Sequence, residues 1–224
     1  MALSLKDVAA RCLSLSPPFS VVTDVFGYSA TRRPMSLKRQ LQLVQGPSLG
    51  VNVILVGVEN FTAADIAETE EALQRTREIY GVVDLGIRKL EWFEISTAAA
   101  GGYTVIESES EALNLTNDFS APSNGFLDLF VVQVATTFDG RSATDGSCDK
   151  DDGKDMTGSV ASLNGPPDNS GNTFAHEIGH YLGLDHVSAP DNFIGNNGSS
   201  NSNTGIAGWQ GDKMKEHCFV SDVC

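Results

Sequence analysis

"TFAHEIGHYLGLDH", residues 173–186, holds three of the four histidines of a 224-residue chain. A helix advances by about 100° per residue, so His176 and His180, four apart, point the same way with one turn of rise between them. They can grip one ion. Gly183 has no Cβ and takes left-handed backbone at little cost, which suits a helix end where the chain turns sharply. The turn can swing His186 back as a third imidazole. Three neutral imidazoles leave one position of a tetrahedral Zn²⁺ open, the mark of a catalytic site rather than a closed structural one. Glu177 can reach that position without ligating the metal, as a general base would in amide hydrolysis. The five-residue HExxH string alone arises by chance in unrelated proteins. Five identities at fixed spacing, His176, Glu177, His180, Gly183 and His186, are far harder to obtain by accident.

Upstream of this stretch the pattern is regular. "VNVILVGV" (51–58) is a continuous apolar, β-branched run suited to a strand buried on both faces. "TAADIAETEEALQRTREIY" (62–80) predicts an amphipathic helix with Thr62 as N-cap candidate. "GIRKLEWFEIS" (86–96) and "FLDLFVVQVAT" (126–136) predict two more strands. Residues 137–172 turn polar and Gly/Asp-rich, with "GSVASLN" (158–164) as a short edge strand. "GWQGDKMKEHCFV" (208–220) predicts a terminal helix, with His217 a terminal-helix or surface residue outside the site. The order implies a mixed α/β (α+β) domain with helices packed on a twisted sheet. Asp149, Asp151, Asp152 and Asp155 lack the spacing and the closing glutamate of a calcium loop and predict a solvated acidic loop.

The formal charge of −14 argues against nucleic acid and anionic membranes as partners. It is unevenly spread: residues 1–45 carry six basic and two acidic residues, +4, leaving 9 basic and 27 acidic residues, −18, for the remainder. Residues 1–45 are expected to be a basic N-terminal arm or a pro-segment. No run approaches the ~18 apolar residues of a membrane span, and the N-terminus lacks a secretory pattern, so no membrane insertion is expected. The expected location is extracellular or reached by non-classical export, as for a bacterial effector or toxin. Cys12, Cys148, Cys218 and Cys224 allow two disulfides in any of three pairings, or free thiols.

"HEIGHYLGLDH" (176–186) resembles the extended zinc-binding signature of the metzincin clan of metalloendopeptidases. The resemblance implies His176, His180 and His186 as zinc ligands, Glu177 as catalytic base and Gly183 as the turning glycine. It also implies a twisted, mostly parallel sheet with two long helices and a small C-terminal subdomain. The catalytic domain would be residues 46–224, with an upper subdomain 46–183 and a lower one 184–224. Two features depart from the clan. Phe193-Ile194-Gly195 stands where a methionine turn is expected, with Ile194 as the substitute apolar floor and Met214 reading as a helix position. Val187, after the third histidine, matches neither the matrixin serine nor the adamalysin aspartate, so the subfamily stays open. Arg11-Cys12 lacks the rest of an inhibitory prosegment motif.

The expected function is a monomeric zinc metalloendopeptidase that cleaves polypeptide with zinc-activated water and Glu177. Two alternatives stay open: a catalytically silent zinc-containing binding module, and an amidase on a small non-protein amide. An open cleft would favour polypeptide, a closed pocket the small amide.

Overall fold

Strand β2 (Ser48–Val56) is buried along its whole length, and the reason is visible in how its side chains divide. Leu49, Val51, Val53 and Leu55 enter one apolar cluster, while Ile54 and Val56 enter another on the opposite face. A strand covered on both faces needs no polar alternation, which is why 51–58 reads as a continuous apolar run. The computed structural model that displays this describes residues 31–32, 46–119, 121, 124–150, 153, 155–163, 167–196 and 203–222. Expectations placed on Cys12, Asp151, Asp152, Cys224 and the basic arm, apart from Thr31 and Arg32, lie outside those residues.

Besides β2, the described strands are β1 (Thr31–Arg32), β3 (Gly86–Ile95), β4 (Val105–Ile106), β5 (Leu127–Val132), β6 (Val134–Ala135), β7 (Gly140–Arg141), β8 (Ser159–Ser162) and β9 (Val220–Ser221). The main sheet runs β1-β3-β2-β5-β8-β7, with β9 also paired to β2. The core pairs β2/β3, β2/β5 and β5/β8 are parallel, and the short strands β1, β7 and β9 join antiparallel. The sheet is mixed and mostly parallel, as expected.

The helices are α1 (Ala63–Gly81), α2 (Thr97–Ala100), α3 (Glu109–Asp118), α4 (Pro167–Tyr181) and α5 (Gly208–Lys215). Thr62 and Asp65 close a capping box at the start of α1: Asp65 N donates to Thr62 Oγ1 at 3.3 Å and Thr62 N to Asp65 Oδ2 at 2.7 Å. The buried face of α1, Thr69, Ala72, Leu73, Thr76, Ile79 and Tyr80, packs on α4. The two long helices meet closely because Gly171 leaves room: a Cβ there would stand 2.6 Å from Arg75 Cβ. Tyr80 then donates its hydroxyl to Ala175 O at 2.7 Å. Helix α3 covers the other face of the sheet with Ala112 and Leu115.

Three expectations need correction. The strand expected over 126–136 is two: β5 ends at Val132, and after Gln133 the pair Val134–Ala135 joins β4 in a separate two-stranded sheet. Gln133 leaves the ladder to donate to Asn60 O and Asp65 Oδ2. The strand near 158–164 is no edge, because β7 pairs with its outer side. His217 lies beyond the helix, which ends at Lys215, and is buried rather than on the surface, with Nε2 2.9 Å from Gly146 O and its ring against Tyr181 and Phe219. Of the four cysteines, Cys148 and Cys218 form a disulfide. Among the described residues no helix is long and apolar enough to cross a membrane.

Candidate metal centre

Helix α4 turns Phe174, Ala175, Ile178 and Tyr181 into the core, none of them measurably exposed, and Leu182 just past its end follows at 1%. His176 and His180 share another face. The helix ends in a Schellman motif: Leu184 N donates to Gly179 O at 3.0 Å and Gly183 N to His180 O at 2.8 Å, with Gly183 at φ +97°. A residue with a Cβ is strained at that φ, so glycine is what lets the chain reverse here. Reversal brings His186 back over the helix.

The three Nε2 atoms converge, with separations of 3.0 Å (His176–His180), 3.0 Å (His176–His186) and 3.1 Å (His180–His186). Their far sides explain their protonation. His176 Nδ1 lies 2.9 Å from Phe193 O and His180 Nδ1 2.7 Å from Leu184 O. A carbonyl only accepts, so each Nδ1 carries the proton and each Nε2 of this pair offers a lone pair. Burial pushes the His176 imidazolium down, against the pull of the Phe193 carbonyl. Burial, then the neighbouring His176, takes His180 down to about 4. Lone pairs aimed at one another at this range repel unless a cation lies between them, so the donor set fits a zinc ion.

Glu177 is 6% exposed and lines the same cleft as the histidines. Burial drives its carboxyl up to about 8, partly opposed by the charge of Arg141 and reinforced by that of Asp139. A cation at the histidine cluster would favour the carboxylate form. Its backbone carbonyl is fixed by Ser159 Oγ at 3.2 Å. The cleft has a volume of about 830 Å³ and is bordered by β7, whose outer side pairs with no strand among the described residues.

Below the helix, Phe193 and Ile194 are buried at 1% and 0% and press on Gly179, where a Cβ would lie 2.8 Å from Phe193 Cε2 and 3.3 Å from Ile194 Cδ1. Met214 is buried in α5. The loop before β8 supports the helix end, where Asp145 N donates to His180 O at 3.0 Å and Gly146 N to Tyr181 O at 2.8 Å. The structure thus gathers His176, His180, His186 and Glu177 in one cleft and leaves His217 outside it. The sequence did not reveal Gly140, the Phe193 carbonyl or the α3 wall. Each acts through backbone or tertiary proximity, which has no residue-type signature.

A sequence model described as metallo-peptidase family M12B, reprolysin-like, matches residues 104–187. The match covers less than half of the chain and ends one residue past His186. No curated protein matches the chain. Among solved structures the chain is similar in fold to metalloproteinase-II from Bacteroides fragilis, with a TM-score of 0.52 and 14% identity. The alignment covers 79% of this chain and 54% of that one, so the chain spans about half the length of that structure.

Proposed function

We propose that the chain is a zinc metalloendopeptidase of metzincin type in which His176, His180 and His186 hold the zinc through Nε2 and Glu177 is the general base, a reading supported by the reprolysin-like match over residues 104–187 and by the three-histidine group. The observation that carries this reading is the convergence of three Nε2 atoms within 3.1 Å in a cleft that Glu177 also lines. Zinc held there supplies a Lewis acid that acidifies water and polarises a scissile carbonyl.

The chain's own residues do the rest. The Phe193 and Leu184 carbonyls hold two imidazoles in the tautomer that binds metal. Glu177 accepts a proton from the attacking water at its carboxylate and passes it to the leaving nitrogen. The free side of β7 offers backbone groups with which an extended peptide can pair, so that the scissile bond lies along the cleft. An 830 Å³ cleft along a sheet edge suits a polypeptide better than an isolated small amide. In the same reading residues 46–183 and 184–224 are the upper and lower subdomains either side of this cleft, and residues 1–45 precede the catalytic domain.

The deciding experiment measures zinc per chain and cleavage of an unfolded protein by wild type and Glu177→Ala. About one zinc in both, with chelator-sensitive cleavage by wild type alone, is the expected result. Equal cleavage by the variant would remove Glu177 from the base role. Zinc in both without cleavage by either would favour the binding module.

A further inference from the structure

The cleft is charged in a way the hydrolytic chemistry does not require. Among the described residues it is lined, besides Glu177, by the carboxylates of Glu109, Asp139, Asp155 and Asp185, and by one cation, Arg141. That cation is already engaged, with Nη2 3.2 Å from Glu109 Oε2. Among the described residues no lysine or arginine forms an ion pair with Asp139 or Asp185. Both aspartates are exposed.

The pleat of β7 places these groups. Side chains alternate across a strand, and the Cβ direction of Gly140 points at Glu177. Arg141 therefore projects to the opposite side, where it meets Glu109 in the first turn of α3, and Asp139, just before the strand, lines the cleft with Glu177. Asp185 comes from the segment after α4, immediately before His186. A peptide threading the cleft would pass exposed carboxylates contributed by the residue before the edge strand and by that segment. Charges of one sign in a concave site focus the local potential and raise the local concentration of the opposite charge.

We propose that the cleft selects polypeptide segments carrying lysine or arginine beside the scissile bond, with Asp139 and Asp185 setting the preference. The proposal rests on the endopeptidase reading for the meaning of the cleft. Its charge preference, however, can be measured without turnover. An anionic side chain in the same place meets the same carboxylates and is rejected.

The test uses peptides identical except for Lys, Ala or Asp flanking the cleavage position. With the zinc-loaded wild type, kcat/KM should fall by about tenfold or more from the Lys to the Asp peptide, and the gap should narrow as salt rises. Asp139→Asn and Asp185→Asn should each narrow the gap while still cleaving the Ala peptide, whereas Glu71→Gln, an exposed neutralisation on α1 away from the cleft, should leave it unchanged. Equal rates across the peptides, a preference for Asp, or a gap that Glu71→Gln reduces as much as Asp139→Asn would overturn the proposal. Binding of fluorescent Lys and Asp peptides to zinc-loaded Glu177→Ala protein separates the two readings. If wild type cuts no peptide yet this protein binds the Lys peptide more tightly, the endopeptidase reading fails and the charge preference stands. Binding without preference sinks the charge preference alone.

Discussion

Gly140 on the edge strand and Glu177 on the site helix share a space with no room for another carbon: a Cβ on Gly140 would lie 2.5 Å from Glu177 Cγ and 2.8 Å from its Oε1. The edge strand therefore sets where the carboxylate can sit. Gly140→Ala must displace that carboxylate, because the Glu177 backbone is held by Ser159. A misplacement of about 1 Å can reduce catalysis by about 100-fold. The expected outcome is a fall in kcat of about ten- to a hundredfold with zinc content unchanged. A large loss of zinc or of thermal stability would mean that the strand had moved instead.

Ile194 fills the space beneath the helix that carries two of the histidines. Its truncation to alanine leaves a cavity at a fully buried site, and such changes cost about 2–5 kcal/mol. Because Phe193 O, one residue away, holds His176 Nδ1, Ile194→Ala should also release zinc faster. Denaturant unfolding and metal transfer to a chelator measure the two effects.

Cys148 and Cys218 close a loop spanning 70 positions of sequence. By loop-closure entropy that bond contributes about 4 kcal/mol. The double substitution Cys148→Ser/Cys218→Ser should lower the unfolding free energy by up to that amount. Because the loop that supports the end of α4 keeps its contacts to His217 and Tyr181, the variant should still bind zinc. An unchanged unfolding free energy in non-reducing buffer would contradict this account.

Glu59 accepts from Thr97 N at 2.5 Å and from Thr97 Oγ1 at 2.7 Å. The Thr97 amide and then its hydroxyl hold the Glu59 carboxyl below its ordinary range. A depressed folded pKa means that the contribution is present above the unfolded value and is lost as pH falls through the folded one. Glu59→Gln should therefore melt below wild type at pH near 7, and the two curves should converge in acid below the normal carboxylate range. A gap that stays constant with pH would assign the effect to packing instead.

Much of the fold was legible because it rests on local rules. The apolar run at 51–58 and the alternating stretch at 86–96 are strands within a few residues, and Thr62 caps its helix as its residue type implies. Helix α3 was not recognised: its buried face is only Ala112, Leu115 and Thr116, too sparse to set a period, and its cap, Ser108, sits in a polar stretch. Pro167 begins α4 inside a segment whose composition reads as loop. There packing on α1, through Tyr80 and Gly171, outweighs local preference.

The sequence by itself determined the candidate metal donors, because their convergence is helical arithmetic: two histidines four apart, a glycine able to turn the chain, and a third histidine just beyond. Everything that depends on chain segments distant in sequence was decided by the tertiary structure. The carbonyl that fixes the His176 tautomer comes from Phe193, the strand that confines Glu177 comes from Gly140, and the charged wall of the cleft joins Arg141 to Glu109 across 32 positions. A helical period fixes direction over a turn or two. Contacts between elements arise only once the sheet and its two helical layers bury their apolar faces together.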